Sequence, residues 1–422
     1  MHPLAKQPRQ VWAWAFYDWA NSAFVTNVMV AFFPIFFRDY WAKGALSSEA
    51  VTLQLGTANS IASISIMLLA PILGAIADQG GLKKRLLMGF AILGISATLI
   101  LTLITEGAWQ LAVTAFILGV VGWLGANIFY DSLLVDISEE ANFNRVSAFG
   151  YSVGYLGGGL LLAFSVFMSL NPSVFGFDST IAAVRWVFAL TAIWWALFSI
   201  PLLLWVQEKP STQTQRLPFW VVIRQAFGQL WETFKHIRRL RTVGLFLLAY
   251  WFYIDGVDTI ITMAVDYGKA LNFPTNSLIT ALLVTQFVAF PAALAFGWLG
   301  NKIGARRGIL IGIGLYALIT LGASQMTDVS HFYLLAGAVG LVQGGVQALS
   351  RSFYASLIPA EQAAEFFGFY NMLGKFAAVI GPSLVGWTSV LTGSHRIGLL
   401  SVLILFALGA AILVRVPDKT IH

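Results

Sequence analysis

Asp18, Asp255, Asp258 and Lys375 each stand inside a long apolar stretch of this 422-residue chain. A charge placed within a bilayer is expensive, and such residues usually mark a substrate path, a proton relay or an ion site. With all four ionised the embedded charge is three negative against one positive, a net −2. A proton resident on one of the acids would relieve that sum, and an acid that changes protonation between states can couple movement of a solute to protons. Sodium held by oxygens of Asp18, Asn21, Ser22, Asp255 or Asp258 would relieve it equally well. The residue types leave both possibilities open. So too does a purely structural role, in which the acids tie two helices together or pair permanently with Lys375.

Spacing groups these residues by face. Trp14, Asp18, Asn21 and Ser22 recur every three or four positions, as do Trp251, Asp255, Asp258, Thr259 and Thr262, so each set shares one side of a helix. The two sets also correspond: Trp14, Phe16, Asp18 and Asn21 become Trp251, Tyr253, Asp255 and Asp258 under a shift of 237. Both faces are expected to look into a shared central cavity. Lys375 shares a face with Asn371 and offers a cation to an acid or to a substrate carboxylate. Gln343 and Gln347, one turn apart, could hydrogen-bond a polar solute, as could Asn59, Asn127 and Gln286, although amides in membranes more often join helices. Trp14 and Trp251 could stack on a substrate or simply anchor the chain at the membrane surface.

The elements that hold these groups follow from composition. Only 10% of residues are charged and 58% are hydrophobic, against about a quarter charged in soluble domains. A soluble enzyme is therefore excluded, and the solvent is largely lipid. About 20 apolar residues span a hydrocarbon core, and twelve such runs occur, from Trp12–Phe37 through Phe366–Leu391 to Ile397–Val414. Lipid leaves no open backbone group satisfied, and runs of this length without two-residue alternation are helices. The expected fold is an all-α integral membrane bundle of twelve transmembrane helices in two pseudo-symmetric six-helix halves.

Nineteen of the 25 Lys and Arg residues fall in segments on the side of the N-terminus, and five fall on the other. By the positive-inside rule both termini face the cytoplasm. The absence of a cleavage site after the first apolar run argues against a removable signal peptide. The long polar interval 207–241 separates an N-terminal half, 1–206, from a C-terminal half, 242–422. Within it, Trp220, Ile223, Phe227, Leu230, Phe234 and Ile237 alternate with Arg224, Lys235, Arg238 and Arg239, the pattern of a basic helix lying on a membrane surface. The net charge of +6 is scattered in short loop clusters, so no nucleic-acid partner is expected. No cysteine, metal-ligand cluster, phosphate loop or catalytic triad is present in the sequence, and neither an enzymatic activity nor a cofactor is expected.

The halves echo each other at two loops. Gly74 to Arg85 reads GAIADQGGLKKR and Gly297 to Gly308 reads GWLGNKIGARRG, a shift of 223. Glycine, Asp or Asn, glycine and a basic pair occupy matching places: Asp78, Lys84 and Arg85 in the first copy, Asn301, Arg306 and Arg307 in the second. A shift of 220 sets Asp131 against Arg351 and Arg145 against Glu365, opposite signs that suggest ion pairs between the halves at an inner gate. Solvated surface charges worth little are the competing reading.

The duplicated loop resembles the signature of the major facilitator superfamily of secondary transporters, and the resemblance covers essentially the whole chain. Gln79, Leu82 and Asn301 depart from the residues usual in that loop. The strings FYDWANSAF (Phe16 to Phe24), GGVQALSRSFYASLIP (Gly344 to Pro359) and EFFGFYNMLGKFAAVIGP (Glu365 to Pro382) resemble the vacuolar effluxer-like, or "unknown major facilitator", branch. The resemblance implies alternating access at a site between the halves, and its fungal members imply an amino-acid substrate. The expectation is thus a monomeric, multi-pass plasma (inner) membrane transporter in contact with the lipid bilayer. It would move a small polar or zwitterionic molecule, with H+ as the coupling ion and Na+ as the alternative. A lipid or lysolipid translocase of the same fold, or a transport-inactive sensor or scaffold, are the rival functions.

Overall fold

The computed structural model describes residues 8–209, 241–270 and 274–417, with the side chains at 48, 49, 52, 79, 80, 262–270, 275, 276 and 376–379 left out. The amphipathic segment expected at Trp220 to Ile237 and the side chain of Thr262 lie outside the described residues. The described elements are helices: α1 (Pro8–Trp41), α2 (Ser48–Gly80), α3 (Lys83–Leu101), α4 (Trp109–Ile137), α5 (Phe143–Leu170) and α6 (Thr180–Trp205). After the connector come α7 (Arg241–Ala270), α8 (Thr275–Ile303), α9 (Ala305–Ser324), α10 (Val329–Leu357), α11 (Ala363–Thr392) and α12 (His395–Leu413).

Among the described residues, eleven helices are long and apolar enough to cross a membrane. The run expected at Phe366–Leu391 lies inside α11, a 30-residue helix that continues through Pro382. Leucine, isoleucine and tryptophan remain well exposed along outer faces, Leu103, Leu118, Ile193 and Leu318 among them. That distribution is stable only in lipid. α1 changes character just beyond Asn21, where Phe24–Phe32 forms wide π turns, a feature that recurs beside functional sites.

The two glycine loops are geometrically matched. Gly81 closes α2 at φ 58° and Gly304 closes α8 at φ 90°, positions related by the 223-residue shift, and both lie where a side chain is strained. Just before them the halves touch through glycine. A carbon added at Gly74 of α2 would lie 2.3 Å from the Ala364 carbonyl oxygen of α11, and one added at Gly297 of α8 would lie 2.4 Å from Ala148 Cβ of α5. The missing side chains let the backbones approach closely, the usual device where helices meet in lipid. α2 therefore packs on α11, and α8 on α5, at the end carrying the two loops.

Candidate functional site

A cavity of about 340 Å³ opens between the halves, lined by α1, α4 and α5 from one and by α7, α8, α10 and α11 from the other. From α1 come Asp18, Asn21, Ser22, Val25 and Thr26, the three- and four-residue stripe read in the sequence. From α7 come Tyr250, Ile254, Asp258 and Ile261, a stripe of the same period. Gln286 of α8, Gln343 and Gln347 of α10, and Asn371 and Lys375 of α11 complete most of the polar lining.

The structure divides the acids of α7. Asp258 lines the cavity, whereas Asp255 is 1% exposed and turns to α11, where both carboxylate oxygens accept from Gly381 N at 3.0 Å. Thr259, fully buried, points the same way. The expectation that Asp255, Asp258 and Thr259 share one cavity-facing surface therefore fails. On a helix of 3.6 residues per turn Asp258 lies about 60° to one side of Asp255 and Thr259 about 40° to the other, so this stripe is wide enough to serve two neighbours. Trp251 is half-buried, away from the cavity lining. Trp14 does not reach the cavity either: fully buried, its ring stacks on Tyr130 at 4.5 Å, and its Nε1 donates to the Tyr130 carbonyl at 2.9 Å. It is a floor for the site.

At the centre of that floor stands Arg351, 1% exposed. Its Nη1 donates to Asp131 Oδ1 at 3.1 Å, its Nε to Ser147 Oγ at 2.9 Å and its Nη2 to the Ser147 carbonyl at 2.9 Å. Asp18 Oδ2 lies 3.8 Å from the same Nη1 and accepts from the Tyr130 hydroxyl at 3.1 Å. The guanidinium also sits 4.8 Å from the Trp14 ring centre and 4.2 Å from that of Tyr151, contacts that favour a cation. Asn371 Nδ2 reaches Asp131 Oδ2 at 3.2 Å. One residue of the C-terminal half is thus held by α1, α4 and α5 of the N-terminal half.

The pair Asp131 and Arg351, expected at an inner gate, instead forms part of the cavity wall. Its members lie six residues before the ends of α4 and α10, or about 9 Å inside each helix. The helices run on past the apolar stretch, so residues that look terminal in hydropathy are interior in geometry.

The remaining expected gate residues gather at the loops. Asp78 accepts from Ala364 N at 3.1 Å and Glu365 N at 2.8 Å, capping α11 of the opposite half with a carboxylate, where the helix end favours negative charge. Lys83 lies 3.5 Å from Asp78 and 3.1 Å from Asp136. Lys84 Nζ donates to the Leu203 carbonyl at 2.9 Å, and Glu208 accepts from Lys83 N and Lys84 N at 3.0 and 2.8 Å. Burial raises the Glu208 carboxyl above its ordinary range, against the pull of those amides and of Lys83. Arg306 Nη1 binds the Val416 carbonyl at 2.6 Å, Asn301 is half-buried, and Arg85, Arg145 and Arg307 are exposed. Glu365 is fully buried. Asn59 is exposed on α2, away from the cavity.

Sequence reasoning missed the aromatic wall. Tyr130, Tyr151, Tyr155, Tyr250, Tyr370 and Trp123 all line the cavity, with Tyr155 donating to Gln347 Oε1 at 2.8 Å. Tyr151 and Tyr155 are four residues apart, and Tyr250, Ile254 and Asp258 follow at steps of four, the spacing of neighbours on one helical side and a signal readable beside the acids. Among the described residues no cluster of three or more metal-ligating side chains occurs.

This architecture, two helical halves about a charged cavity with duplicated glycine loops, defines a transporter fold. Solved structures agree: the chain matches the human organic anion transporter MFSD10 (TETRAN) at a TM-score of 0.72 and 14% identity, over 97% of this chain and 99% of that one. It matches the proton:xylose symporter XylE at 0.69 and 15%, over 97% and 95%. Both are major facilitator superfamily proteins by fold. The sequence profile described as "Vacuole effluxer Atg22 like" matches residues 6–141 and 135–420, and the chain belongs to that family. YxiO of Bacillus subtilis (strain 168), described as an uncharacterised MFS-type transporter, is 39% identical over 97% of this chain and 95% of its own length. Autophagy-related protein 22 of Yarrowia lipolytica is 27% identical over 67% of this chain, which spans 52% of that relative. The protein is a multi-pass membrane transporter of small molecules, surrounded by the bilayer, and is not an enzyme.

Proposed function

We propose that the protein moves a small zwitterionic metabolite, an amino acid in the first instance, by proton-coupled alternating access. In this reading twelve helices cross the plasma (inner) membrane, both termini are cytoplasmic, and the monomer is the working unit. The observation that carries it is the Asp18–Arg351–Asp131 contact, an ion-paired bridge between the halves in the wall of the cavity. Three cavity acids, Asp18, Asp131 and Asp258, face two cations, Arg351 and Lys375, leaving one negative charge over when all are ionised. A proton is the simplest way to remove it. Asp18 is its carrier in this scheme: Asp131 holds Arg351 at 3.1 Å, while Asp18 stands at 3.8 Å and shares its other bond with a tyrosine hydroxyl.

Lys375 and Asp258 give the cavity a cation for a carboxylate and an anion for an ammonium. The aromatic wall suits an apolar side chain or the face of a substrate. Opening the cavity toward the glycine loops requires breaking the Arg351 bridge and the Asp78 cap on α11, and closing it restores both. The test is accumulation of labelled neutral amino acids by proteoliposomes under an imposed proton gradient. Wild-type protein should accumulate label only with the gradient. Asp18→Asn should retain exchange and lose gradient-driven accumulation; accumulation in that variant equal to wild type overturns the assignment.

A further inference from the structure

One side of α5 meets the C-terminal half, and side-chain hydrogen bonds join it to α8 and α10 in a row. From the loop end inward, Asn144 Oδ1 accepts from Ser352 Oγ at 2.6 Å and Ser147 Oγ donates to the Ala348 carbonyl at 2.8 Å. Ser152 Oγ then donates to the Phe290 carbonyl at 2.8 Å, and the Tyr155 hydroxyl to Gln347 Oε1 at 2.8 Å. Each rung is a neutral bond of small net worth, which suits a seam that must part in every cycle.

The last rung differs from the others in what can reach it. Ser147, Ser152 and Ser352 are at most 1% exposed and stand outside the cavity lining, whereas Tyr155 and Gln347 both line the cavity. The Tyr155 ring sits where α10 has no side chain: a carbon added at Gly344 would lie 2.8 Å from its Cε2. Packing therefore holds the ring, and the hydroxyl is held by Gln347, three residues further along α10. Tyr155 is also within electrostatic reach of Asp258, so an ammonium drawn to that acid arrives beside the Gln347 carbonyl oxygen. An ammonium brings three N–H donors, and hydrogen bonds from a charged donor are roughly twice as strong as neutral ones.

We infer that the Tyr155–Gln347 bond is a latch on the seam, and that an N–H donor of the solute opens it by taking Gln347 Oε1 from the tyrosine. Tyr155 is then a positioning residue: it acts through Gln347, keeping the seam shut while the cavity is empty. Occupancy removes the one rung that a solute can touch, and so ties opening toward the loops to the presence of cargo. The donor requirement rests on the zwitterion reading above and narrows it. A solute ammonium must carry N–H; a quaternary ammonium has none and leaves the latch shut.

Arg85 and Arg307 are exposed, one on each duplicated loop, and the chain has no cysteine. Cysteines placed at these two positions in the full-length protein can carry spin labels whose separation reports the seam. Without solute the wild type should show one short separation. A mixture of neutral amino acids should populate a longer one, and the same amino acids trimethylated at nitrogen should not. Tyr155→Phe keeps the ring against Gly344 and removes only the hydroxyl; without any solute it should raise the ratio of open to closed about fivefold, the loss of one neutral hydrogen bond. Gln347→Leu should do the same, and the double variant no more than either, since both remove one bond. In Tyr155→Phe the amino acids and their trimethylated forms should act alike, whereas Ser152→Ala, which removes a rung out of the solute's reach, should preserve the distinction. If Tyr155→Phe opens without solute while the mixture leaves the wild type closed, the latch stands and the amino-acid reading falls. A Tyr155→Phe ratio within about twofold of wild type, or a wild type that opens equally to the trimethylated mixture, overturns the inference.

Discussion

Arg351→Met tests whether the bridge between the halves is the keystone of the conformation seen here. The substitution keeps most of the side-chain volume but removes three hydrogen bonds, to Asp131 Oδ1, Ser147 Oγ and the Ser147 carbonyl. It also leaves Asp131 and Asp18 facing each other without a cation. Removing one partner of a buried pair costs about 3–5 kcal/mol, because the survivor's charge stays desolvated. At roughly 2 °C per kcal/mol, the low end for large domains, the melting temperature should fall by about 6–10 °C. Asp131→Asn/Arg351→Met removes both charges of the closer pair, and replacing a buried pair by neutral groups is often nearly neutral. The double variant should therefore recover at least half of the loss, with a coupling of about 0.5–3 kcal/mol in the four-way cycle. The assay is intrinsic tryptophan fluorescence of purified protein on heating, with uptake measured in parallel; both variants should be inactive. A single variant melting within about 2 °C of wild type, or a double variant no more stable than the single, refutes the reasoning.

Asp78→Ala removes the carboxylate that caps α11 from the opposite half; losing such a cap costs about 0.5–2 kcal/mol and should open the loop side. The chain has no cysteine, so faster labelling of a single cysteine placed at Asn371, by a reagent added on that side, reads the shift. Gly74→Val and Gly297→Val each put atoms where the partner backbone or Ala148 already stands, and initial uptake should fall about tenfold for each 1.4 kcal/mol of strain that closure must absorb. Lys375→Met keeps the chain's reach past Trp123, 5.3 Å from the ammonium, and removes the charge; KM for a zwitterion should rise while melting changes little. An unchanged KM would assign Lys375 to packing.

Much of this arrangement is legible in the sequence, for physical reasons. Span length and apolarity are dictated by the thickness of the membrane, so all twelve runs, Phe366–Leu391 among them, announce themselves in the sequence. The 223-residue shift is equally plain, because Gly74 and Gly297 serve the same close approach and Gly81 and Gly304 the same reversed backbone. Depth is not so plain. Asp131 and Arg351 read as terminal because hydropathy falls off near them, while the helices continue for six more residues. Direction is harder still: three- and four-residue spacing puts Asp255, Asp258 and Thr259 on a common stripe, and only the neighbours' positions decide which members face the cavity and which face α11. The tyrosines escaped notice because a half-polar ring looks like core until a cavity is seen beside it.

The same contrast bears on how the two halves share labour. Asp18 and Asp255 occupy equivalent places 237 residues apart, and a strictly symmetric machine would use them alike. Their environments differ. Asp18 faces the cavity, takes a tyrosine hydroxyl and stands 3.8 Å from an arginine that belongs to the other half, so its surroundings change whenever the halves part. Asp255 is bound within its own half, to the backbone of α11 beside Pro382, and rigid-body movement of the halves leaves its contacts intact. An acid whose partner is carried away is suited to gain and lose a proton during the cycle; one whose partners travel with it is suited to hold a charge fixed. Exchanging the two acids for Asn should therefore have unlike consequences, loss of coupling at Asp18 and loss of C-terminal-half stability at Asp255. Melting curves with uptake assays on the same two preparations distinguish them, and equal uncoupling by both substitutions would show that the symmetry of the sequence extends to the mechanism.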